Sequence, residues 1–308
     1  MITHWIIGPG AIGRLLAHSL APLAEVVVIG RRALPAQQLL TTPESEQRAQ
    51  HLNMVTLAEL ASEAHEQPAF VHITTKAMAA EAALENLKNV IAPTTPLVLW
   101  QNGFLAQPRI NQSWSGPVLC STTTEGAYLT GNDGVVHAGH GHTYIGDLKN
   151  QHGALAETVV QMLTQAGLAA TKVDDIRNRL WQKLAVNAAI NPLVALHGVR
   201  NGALGNAPYS GQVAAVVKEI AAIMSAESIL PPAGEHGVDA WLALVWQVVE
   251  NTANNKASML QDVEAKRATE RGAILGPLIE NAQHHGLACE VLQNLNGKLA
   301  ALEAGYLH

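Results

Sequence analysis

His4-Trp5-Ile6-Ile7-Gly8-Pro9-Gly10-Ala11-Ile12-Gly13 is an apolar run that ends on one glycine, passes a second and opens an amphipathic run reaching residue 20. This order predicts a strand, a tight turn and a helix. Gly8 permits the sharp turn, Gly10 lets backbone approach a pyrophosphate, and Gly13 lets the helix pack close to the strand. The unpaired N–H groups of the helix start then face the phosphates. A lone glycine fingerprint is weak evidence. Here a second strand, residues 25–29, follows at the distance a dinucleotide fold requires, so Gly8, Pro9, Gly10, Ala11, Ile12 and Gly13 are read as cofactor-binding.

The end of that second strand bears on which dinucleotide binds. Sites selective for NAD place an Asp or Glu there for the ribose 2′-hydroxyl, whereas this chain has Gly30-Arg31-Arg32 and no acidic residue between Glu25 and Glu44. A guanidinium can grip a 2′-phosphate with paired hydrogen bonds. NADP is therefore expected, with Arg31 as its phosphate ligand.

Strand and helix patterns then alternate, with strands at 69–74 and 96–100 around a helix at 77–90 and a polar stretch over 41–50. Alternation of this kind predicts an α/β domain built on a doubly wound, Rossmann-type parallel sheet. Ligands of such sheets sit beyond the carboxyl ends of the strands, which singles out Lys76 and Asn102. Runs at 117–128 and 134–146, joined by the turn 131–134, suggest that the sheet ends with an antiparallel part. His137, His140 and His142 fall there, with His140 and His142 expected on one strand face; without an Asp, Glu or Cys at ligand spacing, no metal site is expected. After a helix at 153–166 and a strand near 168–173, strand patterns cease. The chain divides into residues 1–174, a nucleotide-binding domain, and 175–308, an all-helical one. Helices are expected at 176–196, 209–227, from 238 on through 259, and 271–284, broken at 202–208 and at Pro231-Pro232.

Composition bounds the function. With 308 residues, 48% hydrophobic and 14% charged, the chain suits two packed domains rather than disorder. A net charge of −6 argues against a nucleic-acid partner. No apolar run is long enough to span a membrane. Two cysteines, Cys120 and Cys289, and an N-terminus without a secretory leader point to the cytoplasm. The oligomeric state is not legible, and a homodimer is compatible with these residues.

In Leu180-Trp181-Gln182-Lys183-Leu184-Ala185-Val186-Asn187-Ala188-Ala189-Ile190-Asn191, polar residues recur at Lys183, Asn187 and Asn191 amid apolar ones. Spacing of four puts them in one stripe on a buried helix. A buried amine and two carboxamides need partners, either another helix or a ligand-filled cleft. In a cleft, Lys183 could donate a proton or polarise a carbonyl by its charge.

At this stretch the chain resembles the ketopantoate reductases, which reduce a 2-oxo acid with NADPH. The resemblance spans nearly the whole chain, including Gly8 to Gly13, Arg31, Lys76, Asn102-Gly103, Thr122-Thr123-Thr124, Lys183 to Asn187, Ile190-Asn191-Pro192-Leu193, Asn201-Gly202 and Ser258-Met259-Leu260-Gln261-Asp262 followed by Glu270. It implies a helical half like the 6-phosphogluconate dehydrogenase C-terminal domain. It also implies reduction of 2-dehydropantoate to pantoate, with Lys183 as general acid supported by Glu270. Asn102, Asn187, Asn191, Asn201 and Ser258 would hold the substrate, and Lys76, Asn102 and Glu270 would lie near the nicotinamide. On a straight helix Ser258 and Glu270 would be about 18 Å apart, so a break between them or a long reach is expected. Phe104-Leu105 departs from the smaller turn common in the family, which leaves open another small 2-oxo acid as substrate. A cofactor sensor without turnover is the non-enzymatic alternative, and it would have little use for Lys183 and Glu270.

Overall fold

The computed structural model describes residues 2–62, 66–231 and 237–307. The chain folds as two compact units, Met1–Gln101 with Ala106–Arg177, and Asn102–Leu105 with Asn178–His308. The division therefore falls inside a helix, three residues beyond position 174, and a four-residue segment after the fifth parallel strand groups with the helices.

In the first unit, β1 (Thr3–Ile7) and β2 (Glu25–Gly30) flank α1 (Ala11–Leu20) as the sequence predicts. The stretch at 41–50 is not merely polar loop. It sits in a hairpin of β3 (Gln37–Thr41) and β4 (Gln47–His51), followed by β5 (Asn53–Thr56) and α2 (Leu57–Ser62). The strand β4 has few apolar residues and is exposed, so hydrophobic pattern carried no signal for it. Next come β6 (Phe70–Ile73), α3 (Ala77–Glu85), β7 (Leu97–Leu99) and α4 (Ala106–Ser113).

The runs at 117–128 and 134–146 each split. They give β8 (Val118–Thr123) and β9 (Gly126–Thr130), then β10 (Gly134–Gly139) and β11 (Thr143–Gly146), followed by α5 (Gly153–Gln165) and β12 (Ala170–Lys172). The breaks let the β9/β10 hairpin leave the main sheet. It joins β3 and β4 in a separate sheet of order β4-β3-β10-β9, while β8 and β11 pair antiparallel in the main sheet. His140 and His142 consequently lie in the gap between two strands, not on one strand face.

The main sheet has order β12-β11-β8-β7-β6-β1-β2-β5 and is parallel except for the β8/β11 pair. Chain order reverses at β1, with β2 and β5 on one side and β6 to β8 on the other. In sheets of this kind ligands bind at such a switch point, beyond the carboxyl ends of the strands, here those of β1 and β6. Ile6, Val28, Val98, Leu119 and Ile145 from the strands close one core with Leu15 and Leu16 of α1 and Val159 and Leu163 of α5.

Two histidines interrupt these apolar strands. Trp100 donates its indole N–H to His72 Nδ1 at 3.3 Å, so a neutral His72 carries its proton on Nε2, 3.1 Å from His4 Nδ1. Burial keeps both neutral, holding His4 down at about 4 and His72 well below its usual value.

The second unit contains α6 (Ile176–His197), a 3-10 turn (Asn201–Gly205), α7 (Tyr209–Ala226), α8 (Val238–Asn251), α9 (Ser258–Glu264), α10 (Arg271–Ile274), α11 (Gly276–His284) and α12 (Glu290–Ala304). The helix expected from 238 through 259 is thus two, separated by Thr252 to Ala257. Pro232 lies outside the described residues. Trp181, Leu184, Ile190 and Val194 of α6 form the centre of the helical core with Val217, Trp241 and Leu278. No helix among the described residues is long and apolar enough to cross a membrane.

His4 titrates near 4 when folded and near 6.5 when unfolded, so the unfolded chain takes up protons first and stability falls as pH drops below about 6.5. The loss from His4 alone reaches about 3 kcal/mol at pH 4, at 1.36 kcal/mol per unit. Urea unfolding at pH 7, 6 and 5 measures it, and an unfolding free energy unchanged from pH 6.5 to 5 contradicts it.

Candidate active site

The glycine loop is built by contacts on both sides of the switch point. Gly8 has φ +104, and a Cβ there would meet Thr75 backbone at 2.8 Å. At Gly13 a Cβ would come within 2.2 Å of the Gly8 carbonyl oxygen and 2.6 Å of Thr74 Oγ1. Both glycines are therefore sterically required. Gly10 differs: a Cβ there meets nothing within 4 Å, so the middle glycine faces open space. No side chain caps α1, whose first turn carries no acidic residue. The loop thus offers uncapped N–H groups of a helix start at an open surface, the arrangement that accepts a pyrophosphate.

Two residues that the motif does not name hold this loop. Thr74 Oγ1 lies 2.7 Å from the Gly8 carbonyl oxygen and 3.0 Å from that of Ile7, while Arg14, buried in α1, donates Nε to the Pro9 carbonyl at 3.0 Å. Arg31 is exposed and makes no hydrogen bond or ion pair among the described residues. Arg32, by contrast, donates to Asn132 Oδ1 at 2.9 Å. Of the two arginines, only the second is engaged among the described residues. Lys76 is exposed at the N-cap of α3, at the end of β6. Gln101 fixes that strand end by donating to the carbonyls of Ile73 at 2.6 Å and Thr75 at 3.1 Å.

In the helical unit Lys183 and Asn187 are half-buried and Asn191 buried, one stripe along α6 as the spacing predicts. Neither Asn187 nor Asn191 makes a side-chain hydrogen bond among the described residues. Burial pulls the Lys183 amine down from 10.5 to about 8, and the Glu270 charge opposes that fall. An amine in that range is still mostly protonated at pH 7 yet can give up its proton readily.

Glu270 is buried and accepts a hydrogen bond from Asn102 Nδ2 at 3.3 Å. The approach depends on Gly103, with φ +85, where any Cβ would strike the Ala273 carbonyl oxygen at 2.3 Å. Lys183, Glu270 and Asn102 are thus brought into one electrostatic neighbourhood. The expected break between Ser258 and Glu270 is present, because α9 ends at Glu264 and α10 starts at Arg271. Ser258 stands exposed at the first position of α9. A surface ion pair of Glu270 with its sequence neighbours is not what forms: Arg267 pairs with Asp262 at 3.1 Å and Arg271 with Glu303 at 2.7 Å.

Asn201 is buried and donates Nδ2 to Thr252 Oγ1 at 2.8 Å. The Thr252 hydroxyl spends its proton on the Val248 carbonyl at 2.7 Å, which fixes the orientation of the carboxamide. Its Oδ1 is then a buried acceptor with no partner among the described residues.

The family profile described as "Ketopantoate reductase PanE/ApbA" matches residues 4–150, and its C-terminal counterpart matches 175–303. The chain belongs to the ketopantoate reductase family. It is 35% identical over 305 residues to a protein of Vibrio cholerae named 2-dehydropantoate 2-reductase, covering 98% of each chain. A protein of the same name from Archaeoglobus fulgidus is 32% identical, with 97% of each chain covered. Among solved structures, D-mandelate dehydrogenase in a ternary complex with NADH and anilino(oxo)acetate is similar in fold, with a TM-score of 0.87 at 23% identity and 99% of each chain covered. Like the family it belongs to, the protein is an oxidoreductase.

One supporting residue of this reductase escaped the sequence reading. Glu303 of α12 accepts from the backbone N–H and hydroxyl of Thr269 and from Arg271 Nε, gripping both neighbours of Glu270. Burial pushes its carboxyl up, but the hydrogen bonds from Thr269 and Arg271 outweigh that and hold it below the usual range. A signal existed: Leu292, Leu295, Leu299 and Glu303 form the buried stripe of α12, so a carboxylate continues an apolar face. Glu303→Ala should lower the unfolding free energy in urea by about 2 kcal/mol, below the figure for a fully buried pair because Arg271 keeps 31% of its side-chain exposure. An unchanged midpoint contradicts the assignment.

Proposed function

We propose that the protein reduces 2-dehydropantoate to pantoate with NADPH, the activity for which its relatives are named. The observation that carries this is the α6 stripe, where an amine near pKa 8 shares a partly buried helix face with two carboxamides that make no side-chain hydrogen bond among the described residues. Such a face suits a small ligand with a carboxylate, a carbonyl and a hydroxyl.

A bound reduced nicotinamide supplies hydride to the carbonyl carbon of the 2-oxo acid. Lys183 holds a proton at Nζ for the carbonyl oxygen, which becomes an alkoxide and then the product hydroxyl. Glu270 keeps that amine charged in spite of its desolvation, and Asn102 orients Glu270. Asn187, Asn191, Asn201 and Ser258 hold the substrate's carboxylate and hydroxyl, and the spare Asn201 Oδ1 is an acceptor for a hydroxyl proton. Gly8, Pro9, Gly10, Ala11, Ile12 and Gly13 would hold the pyrophosphate, Arg31 the 2′-phosphate, and Lys76, Asn102 and Glu270 the nicotinamide end. Both cysteines are free and buried, which supports a reducing, cytoplasmic setting.

Another small 2-oxo acid is the second reading. The same Lys183 amine, Glu270 carboxylate and α6 carboxamides would serve any such acid, and Phe104, where the family commonly has a smaller turn, packs its ring on Trp181 of the helical core with centroids 4.9 Å apart.

Oxidation of NADPH with 2-dehydropantoate is expected in the wild type, and Lys183→Ala should lower kcat by about 10²- to 10⁴-fold, the range of a general acid. Equal rates would remove the acid assignment, while no rate with this substrate but turnover of another 2-oxo acid would favour the second reading. Arg31→Ala should raise KM for NADPH by about 10- to 100-fold, the loss of charge-assisted hydrogen bonds worth about 1.5–3 kcal/mol, and leave KM for NADH unchanged. A parallel rise for both cofactors contradicts the choice of NADPH.

A further inference from the structure

The second sheet of the nucleotide-binding unit holds a cluster for which the reductase reading has no use. Glu125, in the link between β8 and β9, lies 2.6 Å by Oε2 from Nε2 of His137 on β10. Both side chains are nearly enclosed, at 5% and 7% exposure. His140, one residue past β10, sets its ring edge-on against His137 with centroids 4.9 Å apart. One ligand atom from each of the three lies within 4.8 Å of the others. A second carboxylate, Glu44 in the β3/β4 turn, reaches His140 Nε2 at 3.2 Å by Oε1.

We propose that Glu125, His137 and His140 form a binding site for a divalent transition-metal ion of the zinc class, with Glu44 bracing His140. Two imidazoles and one carboxylate are a donor set that such ions favour over calcium or magnesium, which take oxygen ligands. Zinc binds nitrogen at about 2.0–2.1 Å and carboxylate oxygen at about 2.0–2.2 Å, which puts tetrahedral ligands roughly 3.4 Å apart. A pair now at 2.6 Å must open and a separation of up to 4.8 Å must close, each by about 1 Å or somewhat more, within reach of side-chain rotation. A fourth position stays open to water. A hydrogen-bonded carboxylate beside a ligating imidazole is the usual outer support of such sites, and Glu44 stands in that relation to His140.

The ion would have a structural effect. Its three ligands come from the β8/β9 link and from both sides of the β10 end, and its brace comes from the β3/β4 turn. Binding would therefore clamp the two hairpins that make up this sheet. Bonding to the folded form alone stabilises by mass action. The sequence hid the site because Glu125 is twelve residues before His137 in the chain and meets it only through the antiparallel pairing of β9 with β10.

The test uses full-length, tag-free protein stripped with chelator and titrated with Zn²⁺ alone by calorimetry and thermal unfolding, and with Co²⁺ by visible absorption. The chain has 14 histidines, so the comparison of variants decides. Wild type should bind one ion that raises Tm and gives Co²⁺ d–d bands. His140→Ala, altering an exposed side chain, should keep the metal-free Tm and lose at least 10-fold in affinity together with those bands. Glu44→Gln should weaken binding by about 10- to 100-fold. Wild type without a saturable site, or His140→Ala binding as tightly as wild type, overturns the proposal.

Discussion

A lysine amine held among apolar helices is the constraint on which the second half of this molecule turns. Trp181, Leu184, Ile190 and Val194 of the same helix form the centre of its core, so Lys183 gives up much of the hydration that would stabilise its charge. Desolvation alone would drive the amine further toward neutrality. The Glu270 carboxylate limits the fall, and the helical unit is arranged to deliver that carboxylate. The chain leaves α9, turns through Thr269, and is pinned there by Glu303 of the last helix. Gly103 lets Asn102 come in against it. A conformational requirement at one glycine and an ion pair near the C-terminus thereby hold the surroundings of the carboxylate that opposes the fall of the Lys183 amine.

The first unit obeys a different constraint. Reversal of strand order at β1 places the Gly8 turn and the Thr74 to Lys76 turn side by side, and only glycine fits at two of the three fingerprint positions. The third is open. Close packing at Gly8 and Gly13 fixes the loop, and beside the open space at Gly10 the first turn of α1 keeps its N–H groups uncapped. Arg14 and Gln101 add rigidity through backbone carbonyls, a role that no phosphate-binding motif records.

Much of this was legible in the residues. The glycine fingerprint gave β1, α1 and β2, and fourfold spacing gave the α6 stripe. Both are local patterns in which period dictates geometry. Failures came where pairing is long-range. The strand β4 has almost no apolar residues, and the 117–146 region reads as two long strands because nothing local marks Thr124 and Glu125 as the point where the chain changes sheets. The same change of sheet joins Glu125 to His137, so the absence of an acidic residue at ligand spacing was a statement about sequence distance only. Glu303 was missed for a related reason: its partners are distant in the chain, and only its place on an apolar stripe sets it apart.

Everything proposed for the site depends above all on the state of one amine. Heteronuclear NMR of the lysine Nζ groups, assigned with Lys183→Arg, measures its pKa directly in the wild type and in Glu270→Gln. A value of about 8 is predicted for the wild type, with a lower one in Glu270→Gln because the opposing charge is gone. Titration near 10.5 in both proteins would mean that the amine is neither desolvated nor coupled to Glu270, and would contradict the assignment.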